Sequence, residues 1–82
     1  MSGHKLTWER WTIDDLGRVR PSDGPDPDGR AHGWIDPRAG VGGIDEVAGE
    51  PADGARLPAE VLDLLERRYP RTRWFVPIHR AA

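Results

Sequence analysis

Leu6-Thr7-Trp8-Glu9-Arg10-Trp11-Thr12-Ile13-Asp14-Asp15-Leu16-Gly17-Arg18-Val19-Arg20 decides the fold class, because it can be read as a helix or as a pair of strands. As a helix, Thr7 would be the N-cap and Gly17 the C′ residue, which puts Asp14 and Asp15 at the negative end of the macrodipole. Trp, Thr and Ile also form strands better than helices. As a hairpin, residues 7–13 and 18–20 flank Asp14-Asp15-Leu16-Gly17, a turn that closes through a left-handed Gly17. The strand reading violates neither rule. Its alternation is imperfect, since Leu6 and Trp8 point one way while Trp11 and Ile13 point the other. A bulge near Glu9-Arg10, or two buried faces, reconciles this.

Downstream, Leu57-Pro58-Ala59-Glu60-Val61-Leu62-Asp63-Leu64-Leu65-Glu66-Arg67-Arg68-Tyr69-Pro70 carries the signals of a helix over residues 58–68. Pro58 and Glu60 suit a first turn, the arginines suit a last turn, and Pro70 is a stop. Val61, Leu62, Leu65 and Tyr69 form its apolar stripe, with Leu64 at the margin. Arg71-Thr72-Arg73-Trp74-Phe75-Val76-Pro77-Ile78-His79-Arg80 then reads as a strand, with Trp74, Val76 and Ile78 on one face and Phe75, Pro77 and His79 on the other. Pro77 cannot donate to a ladder, so this strand is an edge or ends near that point.

Residues 21–56 contain eight Gly and five Pro in 36 positions, enough to read as a loop-rich middle. Gly33-Trp34-Ile35-Asp36 and Gly43-Ile44-Asp45-Glu46-Val47 are apolar islands, long enough for brief strands and too short for helices. They are expected as edge strands added to the hairpin, pinned to the core by Trp34, Ile35, Ile44 and Val47. The fold class is therefore α+β: one small domain over residues 1–82, with a mostly antiparallel sheet of N-terminal hairpin, short middle strands and C-terminal strand, and one helix packed on it.

With 82 residues and 37% hydrophobic side chains, the chain has a small core and little apolar material left for a deep ligand cavity. It has no cysteine, which excludes disulfides, thiolate metal sites and a cysteine nucleophile, and argues for a cytoplasmic setting. No window approaches the length of an apolar membrane span, so no membrane role is expected.

Candidate chemistry fails motif by motif. Asp23-Gly24-Pro25-Asp26-Pro27-Asp28-Gly29 superficially suggests a calcium loop, but an EF-hand alignment puts Gly24 where the first carboxylate belongs and Ile35 where the bidentate Glu belongs. An acidic turn explains it better. His4, His32 and His79 lack partners at zinc-ligand spacing. Ser2 and Ser22 lie in a tail and a Pro-rich turn, not on a nucleophile elbow. Asp14-Asp15 and Asp45-Glu46 are paired carboxylates without an evident pocket. Gly40-Val41-Gly42-Gly43 lacks the third glycine and the strand–helix setting of a phosphate loop. No metal, cofactor or catalytic residue is assigned.

Charge is uneven. Residues 66–82 hold five arginines against Glu66, while residues 1–65 hold seven basic and thirteen acidic residues. Arg67, Arg68, Arg71 and Arg73 with Trp74 could hold phosphates and stack on bases. The basicity of a nucleic-acid-binding domain is missing, and Arg67 and Arg68 also suit the helix dipole. Four tryptophans in so small a chain are chiefly core material, yet exposed Trp is enriched in binding hot spots. Trp11 and Trp34 are the candidates for a protein interface. The first expectation is a noncatalytic interaction protein, a regulator, inhibitor or accessory subunit that binds a larger protein or a second copy of itself. Nucleic-acid binding comes second, and a small-molecule binder or enzyme last.

Overall fold

The computed structural model describes residues 8–22 and 29–78. The acidic turn over residues 23–28 lies outside them, as do Ser2, His4, His79 and Arg80. Six strands and one helix follow in the order β1 (Glu9–Ile13), β2 (Val19–Pro21), β3 (Ala31–Asp36), β4 (Val41–Val47), β5 (Glu50–Pro51), α1 (Ala59–Arg68) and β6 (Arg73–Phe75). The fold is α+β. All strands join one sheet in the order β2-β1-β3-β4-β5, with β6 also against β4.

β1 and β2 form the N-terminal hairpin, with Ile13 opposite Val19 and Thr12 opposite Arg20. Asp14 builds its turn. Asp14 Oδ1 accepts from the N–H of Leu16 at 3.0 Å and of Arg18 at 2.9 Å, while its carbonyl accepts from Gly17 N–H at 2.9 Å. Gly17 adopts φ +80, the left-handed conformation that the turn demands. Asp14 Oδ2 takes the Arg18 guanidinium at 3.2 Å. The Arg18 backbone N–H, then that of Leu16 and the Arg18 charge, hold the Asp14 carboxyl below its ordinary pKa, against an opposing desolvation.

β3 and β4 are expected as edge additions but occupy the centre. β3 lies between β1 and β4, antiparallel to both. The far side of β4 is shared: Val41–Gly43 pair with β6 in parallel, and Glu46 and Val47 pair with β5. The chain reaches β6 by way of α1, which is why this one pairing is parallel. No bulge falls at Glu9-Arg10, where β1 runs in unbroken register with β3. The bulge lies in the β3–β4 ladder instead, because His32 pairs with Glu46 while Gly33 pairs with Ile44. Asp45 is the extra residue, and its carbonyl accepts from Ala52 N–H at 2.8 Å.

Glycine in the strand interiors has a steric cause. A Cβ on Gly33 would collide with the Gly43 carbonyl and lie 2.8 Å from Trp11 Cζ2. One on Gly42 would lie 2.5 Å from Trp74 Cζ3, and one on Gly43 would collide with the Trp34 indole. Three tryptophans thus pack against three glycines, where a larger residue would push them off the sheet.

The core lies on one face. Trp11, Ile13, Ala31, Ile35 and Ile44 from the sheet, Ala52, and Val61 and Leu65 from the helix are buried together. Trp74 meets Trp11 edge to face with ring centroids 5.9 Å apart, and Tyr69 leans on Trp74 at 6.1 Å. The helix begins at Ala59, one residue inside the expected start, because Pro58 at φ −63 and ψ 133 is the N-cap. Val61 and Leu65 are the buried members of its stripe, with Leu62, Leu64 and Tyr69 half-buried. β6 is shorter than expected, ending at Phe75 before Pro77.

Gly33→Ala is expected to lower stability by about 3 kcal/mol or more, since the clash is with backbone that cannot rotate away. Gly54→Ala, whose Cβ would come closest to the flexible Ile78 side chain at 3.3 Å and meet the Val76 and Pro77 carbonyls at ordinary contact distances, is expected to stay within about 1 kcal/mol. Urea unfolding of the two variants checks this. Because the Asp14 pKa is lowered in the fold, its contribution is complete above the unfolded value of roughly 3.9 and fades as pH falls through the folded value. Asp14→Asn should therefore melt lower than wild type at pH 7, and the gap should close on acidification in a Tm-versus-pH series.

Candidate functional site

Side chains alternate along a strand, so residues next to the buried Trp11 and Ile13 face away from the helix. The register aligns Arg10 on β1 with Trp34 on β3, Gly43 on β4 and Phe75 on β6, one row across four strands on the helix-free face. Trp8 precedes Arg10 by two residues and belongs to the same side. Gly43 contributes no side chain, and the Trp34 indole lies over it. The outcome is an aromatic strip of Trp8, Trp34 and Phe75. Trp8 is 40% exposed and Phe75 54%.

Trp34 divides two open clefts. The first, about 300 Å³, is lined by Trp8, Arg10, Trp34, Asp36 and Asp45. The second, about 310 Å³, is lined by Trp34, Ile44, Asp45, Phe75, Val76 and Pro77. A larger cleft of about 480 Å³ lies beside β5, lined by the charged Glu50, Asp53 and Arg56 beside Val47, Ala48 and Ala52, with no aromatic ring.

In the first cleft the Arg10 guanidinium carbon lies 5.7 Å from the centroid of the Trp8 ring, a cation–π distance. Its Nη1 is 3.9 Å from Asp45 Oδ2. The bulge makes this possible: Asp45, without a partner on β3, projects toward β1. Asp36 Oδ1 accepts from Arg38 N–H at 3.2 Å and Ala39 N–H at 3.3 Å, fixing the turn that ends at Gly40. On the same face His32 Nε2 lies 3.5 Å from Glu46 Oε2, across the strand.

The sequence candidates are distributed as follows. Trp11, expected at an interface, is the centre of the core: it is fully buried and its Nε1 donates to the Trp34 carbonyl at 2.9 Å, so it cannot touch a partner that docks on the folded surface. Trp34 lies on the helix-free face, half-buried. Arg67 and Arg68 stand exposed at the end of α1, with Arg68 over the Tyr69 ring at 4.8 Å. Arg71 holds a left-handed turn at φ 64, and Arg73 alternates with Trp74 and so faces away from the helix. Trp74, the expected base-stacking ring, packs inward on Trp11 and Gly42. The carboxylate pairs part company: Asp14 braces its turn while Asp15 is exposed, and Asp45 and Glu46 pair with Arg10 and His32.

Sequence reasoning missed Trp8, Arg10, Asp45 and Phe75 as members of one surface. The alternation of Trp8 against Trp11 was the available signal for a second apolar face. Among the described residues no group of three or more His, Asp or Glu is placed to hold a metal, and no helix is long and apolar enough to cross a membrane. The chain matches no protein family, no curated protein and no solved structure.

The buried and the exposed aromatic ring separate by mutation. Trp11→Ala is expected to cost about 3–5 kcal/mol, whereas Phe75→Ala, which trims a half-exposed ring, is expected to cost about 1 kcal/mol or less. Chemical denaturation followed by far-UV circular dichroism distinguishes them.

Proposed function

We propose that this chain is a noncatalytic interaction protein that binds a partner protein through the helix-free face of its sheet. One observation carries the reading: among the described residues, Trp8, Trp34 and Phe75 line one face of the sheet with Trp8 and Phe75 exposed, and open clefts lie between the rings. Burying rings of this size on a partner would yield much of the energy of a standard interface, because large aromatic side chains dominate hot spots. Their cost of ordering is low, since Trp34 is already fixed over Gly43.

Surrounding charges suit recognition better than turnover. Arg10 and Asp45 form an opposite-sign pair at the sheet surface, and His32 lies 3.5 Å from Glu46 beside them, polar groups of the kind that rim an apolar patch in protein interfaces. The carboxyl groups of this face lie in open clefts, and the buried Thr12 hydroxyl is engaged with the Ala31 carbonyl at 3.2 Å. A second copy of the chain satisfies the same chemistry as a foreign partner, through a self-complementary contact.

A pull-down from native lysate, run in parallel with wild type and with a Trp8→Ala/Phe75→Ala variant of verified fold, tests this. The expected result is a partner recovered by wild type and lost by the variant, or a wild-type dimer in light scattering that the variant abolishes. Equal recovery by both proteins, or a bound nucleic acid whose affinity falls steeply with salt and vanishes in Arg71→Ala/Arg73→Ala, would contradict it.

A further inference from the structure

We infer that the cleft between Trp8 and Trp34 receives a cationic side chain, arginine or lysine, from a linear segment of the partner, with the neighbouring apolar cleft taking an adjacent apolar side chain. This deepens the proposed function and rests on it. The lining of the first cleft contains two indole rings and two carboxylates, Asp36 and Asp45, against one guanidinium. Indole faces attract cations through their quadrupole, and a carboxylate at the same site adds charge and hydrogen-bond acceptance.

The molecule already shows the chemistry in miniature. Arg10 places its guanidinium 5.7 Å from the Trp8 ring and 3.9 Å from Asp45 Oδ2, so a cation of this kind fits between ring and carboxylate. The ion pair, at 3.9 Å, exceeds the length of a charge-assisted hydrogen bond, and both partners are nearly half exposed. An incoming cation therefore displaces a weak internal one. The second cleft, across Trp34, has the apolar lining of Ile44, Phe75, Val76 and Pro77, with Asp45 common to both. Charge and apolar character side by side specify a short peptide rather than a polyanion, which the carboxylates repel.

The test titrates full-length protein with a capped hexapeptide carrying one arginine among leucines and alanines, and with its citrulline counterpart, following the four indole N–H resonances by NMR. The arginine peptide is expected to shift the indoles of Trp8 and Trp34 while leaving that of Trp11 in place, and to bind about tenfold tighter than the citrulline peptide. Asp45→Asn should weaken arginine-peptide binding about fivefold. Arg10→Gln should tighten it, because the internal competitor is gone; a merely structural role for Arg10 predicts no tightening. Equal binding of the two peptides, unchanged affinity in both variants, or no shift of Trp8 and Trp34 at millimolar peptide would each overturn the assignment. The pull-down with Trp8→Ala/Phe75→Ala is read separately, so loss of the cation assignment and loss of the face as an interface are distinguishable.

Discussion

Everything in this structure depends on the seating of tryptophan rings on strand glycines. Trp11 covers Gly33, Trp74 covers Gly42 and Trp34 covers Gly43. The first two rings lie on the helix side and meet edge to face, so they fill the space under α1 with few residues. The third lies on the opposite side. A chain with 37% hydrophobic residues obtains a closed core in this way, because each indole buries far more apolar area than an aliphatic side chain. Glycine opposite it lets the ring approach the backbone plane, and the cost of a flexible residue in a strand is offset by the area the ring removes from water.

The same arrangement creates the surface. Since Gly42 and Gly43 are consecutive, their missing side chains lie on opposite faces of β4, and a tryptophan occupies each vacancy. One ring packs inward against Trp11 and Tyr69. The other lies on the helix-free face with Trp8 and Phe75. The bulge at Asp45 adds a carboxylate to this face and brings it toward Arg10, so the irregularity of the β3–β4 ladder lies beside the aromatic rings. Bulges re-aim side chains next to functional surfaces, and here the re-aimed group lines both clefts.

Some of this was legible in the sequence and some was not. The helix was readable to within a residue, because Val61 and Leu65 repeat at helical spacing and Pro58 and Pro70 bracket them. The hairpin was readable from Asp14 and Gly17, whose local hydrogen bonds and left-handed φ need no tertiary partner. The middle was legible only in part. The islands that open at Gly33 and Gly43 read as brief strands, but Gly42 reads locally as a loop former, and the packing of Trp11, Trp74 and Trp34 on these glycines is long-range. For that reason β3 and β4 were expected at the edges when they are the centre, and Trp11 was a candidate for an interface when it is fully buried. The parallel pairing of β6 and the two-residue β5 were likewise beyond a local reading, since both follow from where β4 lies.

The claim that indoles rest on glycine backbone is most directly tested by the glycine Hα resonances of the folded protein. The account predicts that those of Gly33, Gly42 and Gly43 are shifted well upfield by ring currents and show nuclear Overhauser contacts to Trp11, Trp74 and Trp34 respectively. Random-coil shifts at these three glycines, with no contact to any indole, would contradict it.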